Sequence, residues 1–313
     1  MDKIILGVHG LLNKNAKEVI QTWWKSAIEE GLEKTCGYDE GINFQMVYWA
    51  DLLHKYPLHN DEAYYFDELY DDEPYYYLEK ENFPRYADSL IKRMGLLGQN
   101  AVRKCVNLIQ QYDPVSFWAA NKLFRDMAYY YNDEVEIYDR KGQKRPLRKI
   151  LMRELIDALS VHAKESKEII VIGHSMGSII CYDVLRNIRS FLPDINIKCF
   201  ITMGSPLTYA ITYKHPFLEL TDGHFRNKPR TPSAVQSWYN FSDPRDVACY
   251  RLKLGPLYGP NHQGVQVVDQ LVFSDYGIFN KKLGKYHHNP HKSYGYLRCP
   301  EFSELIYKCL DKS

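Results

Sequence analysis

The chain has 313 residues, 45% of them hydrophobic and 25% charged, with a formal net charge of +1. That length holds one decorated α/β domain or two small ones, and the near-neutral balance gives no electrostatic reason to expect nucleic acid or an anionic membrane surface as a partner. The seven cysteines are scattered and form no CxxC pair, which argues against a disulfide framework or a zinc knuckle.

The N-terminal apolar run is too short for a signal peptide, and no run of about 18 apolar residues occurs to span a membrane. A cytoplasmic protein without a transmembrane segment is expected. Residues 3–8 (KIILGV) are apolar and rich in β-branched side chains, and they predict a buried strand ending in a loop at His9-Gly10. Asn15, with Glu18 three residues on, reads as a cap for a helix in which Val19, Ile20, Trp23, Trp24, Ala27 and Ile28 recur at helical spacing and which stops before Gly37. Residues 43–49 predict a second strand.

The alternation resumes further along. A helix over 147–165 presents Ile150, Leu151, Leu155, Ala158 and Leu159 on one face, and residues 168–172 (EIIVI) form a strand. A helix with Ile180, Val184 and Ile188 on one face follows it. Further strands are expected at 197–203, 235–241 and 265–273, with a final helix at 300–311. Strands alternating with helices predict an α/β fold with a mostly parallel sheet covered on both faces.

One stretch breaks the pattern. Residues 61–81 hold nine acidic side chains and one Lys, six tyrosines fall between Tyr64 and Tyr77, and 117–131 reads as an aromatic helix. Residues 51–132 are therefore expected to be a Tyr-rich cap or lid inserted into a core made of 1–50 and 133–313, or a set of helices that merely cover a sheet edge.

Gly173-His174-Ser175-Met176-Gly177 matches GxSxG. The match follows an apolar strand directly and opens a helix, which is the context of a nucleophile elbow. A serine in so tight a turn leaves no room for bulky residues two positions away, and Gly173 and Gly177 supply the small ones. The turn also leaves the Met176 amide at a helix N-terminus, where a developing oxyanion can be met. His9 reads as a brace for the loop after the first strand. A serine hydroxyl needs a base in hydrogen-bond reach, and the base needs an acid to fix its tautomer. Downstream, Asp243 and Asp246 follow one strand, and His262, His287, His288 and His291 lie beyond. His291 stands after the last strand and just before the final helix, where the base is expected. Gly204-Ser205-Pro206 reads either as a loop at the rim of the site or as a plain strand-ending turn.

Taken together, VHGLL at 8–12, YWAD at 48–51, GHSMGS at 173–178, TMGSPL at 202–207, NFSDPRDVA at 240–248 and HKSY at 291–294 resemble the α/β-hydrolase superfamily, and within it the serine esterases and lipases. The resemblance implies an α/β-hydrolase fold over residues 3–49 and about 133–311, without the early antiparallel strands of longer members. It assigns the catalytic roles to Ser175, Asp246 and His291, and the oxyanion hole to the backbone amides of Leu11 and Met176. Pro is absent after Asp246, which departs from the Asp-Pro-Val often found there and keeps Asp243 in play.

The implied function is hydrolysis of a carboxylic ester, from a lipid or another acyl donor, through a Ser-His-Asp triad and an acyl-enzyme, which requires no metal and no cofactor. The same machinery serves thioesters and amides. A non-catalytic protein-interaction module on this scaffold is the alternative of a different class. Nucleotide binding is disfavoured, because the first strand is followed by HGLLNKN, with neither GxGxxG nor GxxxxGK[ST].

Overall fold

In a computed structural model, which describes residues 2–11, 13–58, 74–79, 81–88, 125–165, 167–209, 211–212, 228–280 and 285–311, alternating strands and helices dominate. In chain order they are β1 (Lys3–Val8), α1 (Lys17–Cys36), β2 (Phe44–Val47), β3 (Glu136–Tyr138), β4 (Lys144–Pro146), α2 (Leu147–Lys164), β5 (Glu168–His174), α3 (Met176–Leu185), β6 (Ile197–Met203), β7 (Trp238–Ser242), β8 (Val267–Leu271), β9 (Gly277–Asn280), β10 (Lys285–His288), α4 (Ser293–Leu297) and α5 (Pro300–Leu310). Six strands form one sheet in the order β2-β1-β5-β6-β7-β8, and every neighbouring pair is parallel.

Period-2 alternation along the strands builds two cores. Leu6, Val8, Ile169 and Val171 face one side, with Leu151 and Leu155 of α2 and Ile180 and Val184 of α3. Ile5, Ile170 and Ile172 face the other, with Trp24 and Ile28 of α1, Tyr294 and Leu297 of α4, and Phe302 and Ile306 of α5. Both faces of the central strands are covered, which is why β1 and β5 read as continuous apolar runs rather than as alternating ones. The strand order reverses direction at β1. The crevice at the carboxyl ends beside such a reversal is where open α/β sheets bind their ligands.

One local expectation is corrected. Asn15 does not cap α1: the N-cap is Ala16, with no side-chain cap bond. Asn15 is buried and its backbone is committed elsewhere, bridging Leu58 and accepting the Tyr48 hydroxyl at 3.0 Å. The final helix expected at 300–311 is α5, opened by Pro300, and a further short helix, α4, precedes it across a break at Arg298-Cys299. The hairpins β3-β4 and β9-β10 are antiparallel and were not anticipated.

The cap expected over 51–132 falls largely on 59–73, 80 and 89–124, outside the described residues. Of the rest, 74–79 are tied to α1: Glu30 is 2% exposed, and its carboxylate accepts the Leu78 amide (2.8 Å), the Tyr75 hydroxyl (2.9 Å) and Arg298 Nη1 (3.3 Å). Arg85 pairs with Glu304 of α5 at 2.6 Å. On the opposite face the helical residues 125–130 bury Met127 and Tyr130 against the first core. Among the described residues, no helix is long and apolar enough to cross a membrane.

Candidate active site at the carboxyl edge of the sheet

Ser175 lies between the end of β5 and the start of α3 with φ 52° and ψ −126°, the one non-glycine residue with positive φ among the described residues. Such a backbone costs about 1–3 kcal/mol and persists only where its surroundings hold it. Here the Ser175 amide donates to Met203 O (3.1 Å), and the Ser175 carbonyl accepts the Ser178 amide (2.9 Å) and the Ser178 hydroxyl (2.6 Å).

The glycines around it are required by contact. A Cβ on Gly173 would stand 2.7 Å from Ser178 Cα, and one on Gly177 would collide with the Val8 carbonyl oxygen of β1. Gly177→Ala is therefore expected to cost about 1–3 kcal/mol, the range for overpacking a close-packed site. Urea denaturation measures it, and an unchanged midpoint would refute the packing account.

The residues singled out in the sequence come together here. The Ser175 hydroxyl donates to His291 Nε2 at 3.1 Å, and His291 Nδ1–H donates to Asp246 Oδ2 at 2.9 Å. Ser175 is 4% exposed, the Asp246 side chain is fully buried and that of His291 is 32% exposed. Asp246 also accepts the Ala248 amide at 2.8 Å and the Tyr296 hydroxyl at 2.7 Å.

Asp243 has a different environment. Its carboxylate accepts Arg245 Nε (3.0 Å) and Nη2 (2.6 Å), the Arg245 amide (2.8 Å) and the Ser274 amide (2.7 Å). Burial pushes its carboxyl up, and the Arg245 guanidinium opposes that. Of the other histidines, His262 is exposed, and His288 Nε2 faces Arg245 Nη1 at 3.4 Å. The His287 side chain lies outside the described residues.

His9 braces the loop after β1. Its Nδ1–H donates to Gly10 O at 2.8 Å, and its Nε2 accepts the Trp49 amide at 3.1 Å, in the tautomer those two partners require. The Gly10 carbonyl and the Leu11 N–H belong to one trans peptide and point in opposite directions, so fixing the carbonyl fixes the N–H. Gly10 itself lies against the serine: a Cβ there would be 2.9 Å from Ser175 Cβ and 3.4 Å from Ser175 Oγ. The Met176 amide is the first of α3 and stands outside the intrahelical ladder.

The Gly204-Ser205-Pro206 turn belongs to this site. Gly204 has φ 54°, and a Cβ on it would lie 2.9 Å from Asp246 Oδ2 and 3.2 Å from His291 Nδ1. Ser205 Oγ shares a hydrogen bond with Ser178 Oγ at 2.7 Å, joining the turn to the elbow.

Sequence reasoning left His174 and Tyr296 without a role. His174 Nε2–H donates to the His291 carbonyl at 2.7 Å, and the two rings are 4.8 Å apart. Burial above all, then the nearby His291, Lys292 and Lys14, holds the His174 imidazole well below its ordinary value. The unfolded chain takes up a proton there below pH of about 6.5 and the folded chain refuses it. Its contribution is thus complete above that pH and is lost as the pH falls further, by at most about 1.4 kcal/mol per pH unit. A His174→Gln variant should lose less urea stability than the wild type between pH 7 and pH 5. Equal losses in the two proteins would rule this out.

Among the described residues no group of His, Cys, Asp and Glu is arranged to hold a metal ion. The family model for lecithin:cholesterol acyltransferase matches residues 143–219, a segment that runs from β4 through the elbow to beyond the Gly204 turn. No curated protein and no solved structure matches the chain. The matched segment suggests lipase- or acyltransferase-type chemistry and ends before Asp246 and His291. The parallel sheet with helices on both faces is that of an α/β-hydrolase fold, and the matched segment is similar to a lipase-like acyltransferase family of that superfamily.

Proposed function

We propose that the protein is a serine hydrolase that cleaves a carboxylic ester, of a lipid or another acyl donor, with Ser175 as nucleophile, His291 as general base and Asp246 as the acid that orients it. The observation that carries this reading is the unbroken relay from Ser175 Oγ through His291 to the buried Asp246 carboxylate, with links of 3.1 and 2.9 Å.

In the proposed reaction His291 Nε2 takes the Ser175 proton as Oγ attacks the carbonyl carbon. The amides of Met176 and Leu11 stabilise the oxyanion, a contribution worth about 3–4 kcal/mol per donor in a dry site. The imidazolium then protonates the leaving alcohol, and the acyl group remains on Ser175. Water, activated by the same imidazole, releases the acid and restores the serine. Asp246 stays ionised throughout, keeps Nδ1 protonated and offsets the charge on the ring.

The similarity over 143–219 supports a second fate for the same acyl-enzyme, transfer to an alcohol instead of water. Hydrolysis of p-nitrophenyl esters of graded acyl length, with and without an added long-chain alcohol, tests both. Release of p-nitrophenol is expected, with a chain-length optimum. Transfer is indicated by an ester product of the added alcohol. A fluorophosphonate probe that leaves Ser175 unlabelled, with no turnover of any ester in the series, would overturn the proposal.

A further inference from the structure

Tyr296 sits on α4, five residues beyond His291, with its side chain fully buried. Its phenol oxygen accepts the Asp243 backbone N–H at 3.1 Å and donates to Asp246 Oδ2 at 2.7 Å. The first bond sets the direction of the second. With a lone pair taken by the amide, the hydroxyl proton is left to point at the carboxylate. The oxygen it reaches is the one that also accepts His291 Nδ1–H.

We propose that Tyr296 is a positioning residue for the acid of the active site: its hydroxyl locks the rotation of the Asp246 carboxylate and draws charge away from the oxygen that faces His291. This rests on the serine hydrolase reading above. Burial and the neighbouring Asp246 and Asp243 push the phenol well above its usual range, so it remains a donor wherever the enzyme works. The effect on the base follows from the charge. A carboxylate that shares its charge with a phenol proton holds an adjacent imidazolium less tightly than a bare one. The hydroxyl therefore eases proton release from His291.

The other charged or titratable groups facing this pair come from several elements. Asp243, Arg245 and Cys249 lie in the loop after β7, with the Cys249 sulfur 3.8 Å from the phenol oxygen. His174, at the end of β5, contacts His291, and Lys292 and Lys14 act on the same cluster. None of them donates a hydrogen bond to Asp246 Oδ2 among the described residues, so Tyr296 is the side chain placed to tune that oxygen besides His291 itself.

Tyr296→Phe keeps the ring and removes the proton. It should lower kcat roughly tenfold or more, as expected for a lost hydrogen bond to a charged group, with KM little changed, because the phenol is not placed to touch substrate. The acidic limb of the kcat/KM profile should move to higher pH, since the base then holds its proton more tightly. Site-specific replacement by 3-fluorotyrosine preserves shape and makes the phenol a stronger donor. It should move the limb to lower pH, and it keeps the test alive where Tyr296→Phe fails to fold.

Tyr182→Phe, which removes a buried hydroxyl bonded to Arg230 O at 2.9 Å, should leave the limb in place and controls for mere loss of stability. A wild type that neither labels with fluorophosphonate nor turns over ester overturns the hydrolase reading and this proposal with it. An active, labelled wild type whose pH limb is the same with Phe or with fluorotyrosine at position 296 overturns this proposal alone.

Discussion

Ser175→Ala is expected to reduce ester hydrolysis by a factor on the order of 10⁶, to the level left by substrate binding and the oxyanion amides alone. The size follows from the chemistry. Without Oγ no acyl-enzyme forms, and no other hydroxyl among the described residues is bonded to His291 Nε2 to replace it. The variant should fold, because the bonds that hold the strained turn use the Ser175 backbone and not its side chain. Initial rates on a short and a long p-nitrophenyl ester, together with thermal unfolding, check both halves. Retention of more than a small fraction of the rate by a folded Ser175→Ala protein would mean that hydrolysis happens elsewhere.

Asp246→Asn should be the next most damaging change, with a loss on the order of 10⁴ in kcat. An amide at this position donates to His291 Nδ1 and so selects the tautomer with Nε2 protonated, which cannot accept the Ser175 proton. Asp243→Asn provides the contrast. Asp243 bonds to Arg245 and the Ser274 amide and makes no bond to His291. Its replacement should cost about 1–3 kcal/mol of stability through a weakened buried ion pair and should leave kcat within roughly tenfold, because the imidazole keeps its partner. Steady-state kinetics and urea unfolding of the two variants separate the roles. A catalytic loss concentrated in Asp243→Asn would exchange the assignments of the two aspartates.

The alternation of strands and helices was legible because β1, β5 and β6 are apolar on both faces and α2 is apolar on one. Those patterns are local consequences of covering both faces of a parallel sheet. The elbow was legible for a similar reason: Gly173 and Gly177 are demanded by the collisions a Cβ would meet within a few residues of the turn and at the adjacent β1. The misread helix start is one where a residue's partners are distant. Asn15 looked like a helix cap, but Leu58 and Tyr48 claim its backbone.

The candidate site divides along the same line. The sequence by itself determined the α/β fold, the turn that carries Ser175, and a short set of acids and histidines in an order compatible with a serine hydrolase. It left Asp243 and Asp246 open on local grounds, because both stand in one loop after β7. Tertiary structure alone separated them: Arg245 and the Ser274 amide hold one carboxylate, while His291 and Tyr296, brought in from the last fifth of the chain, meet the other. It alone also put Gly204 against the Asp246–His291 pair and His174 under the His291 carbonyl. Backbone periodicity is written residue by residue, whereas a hydrogen bond between side chains dozens of positions apart exists only once the sheet has set its strand order.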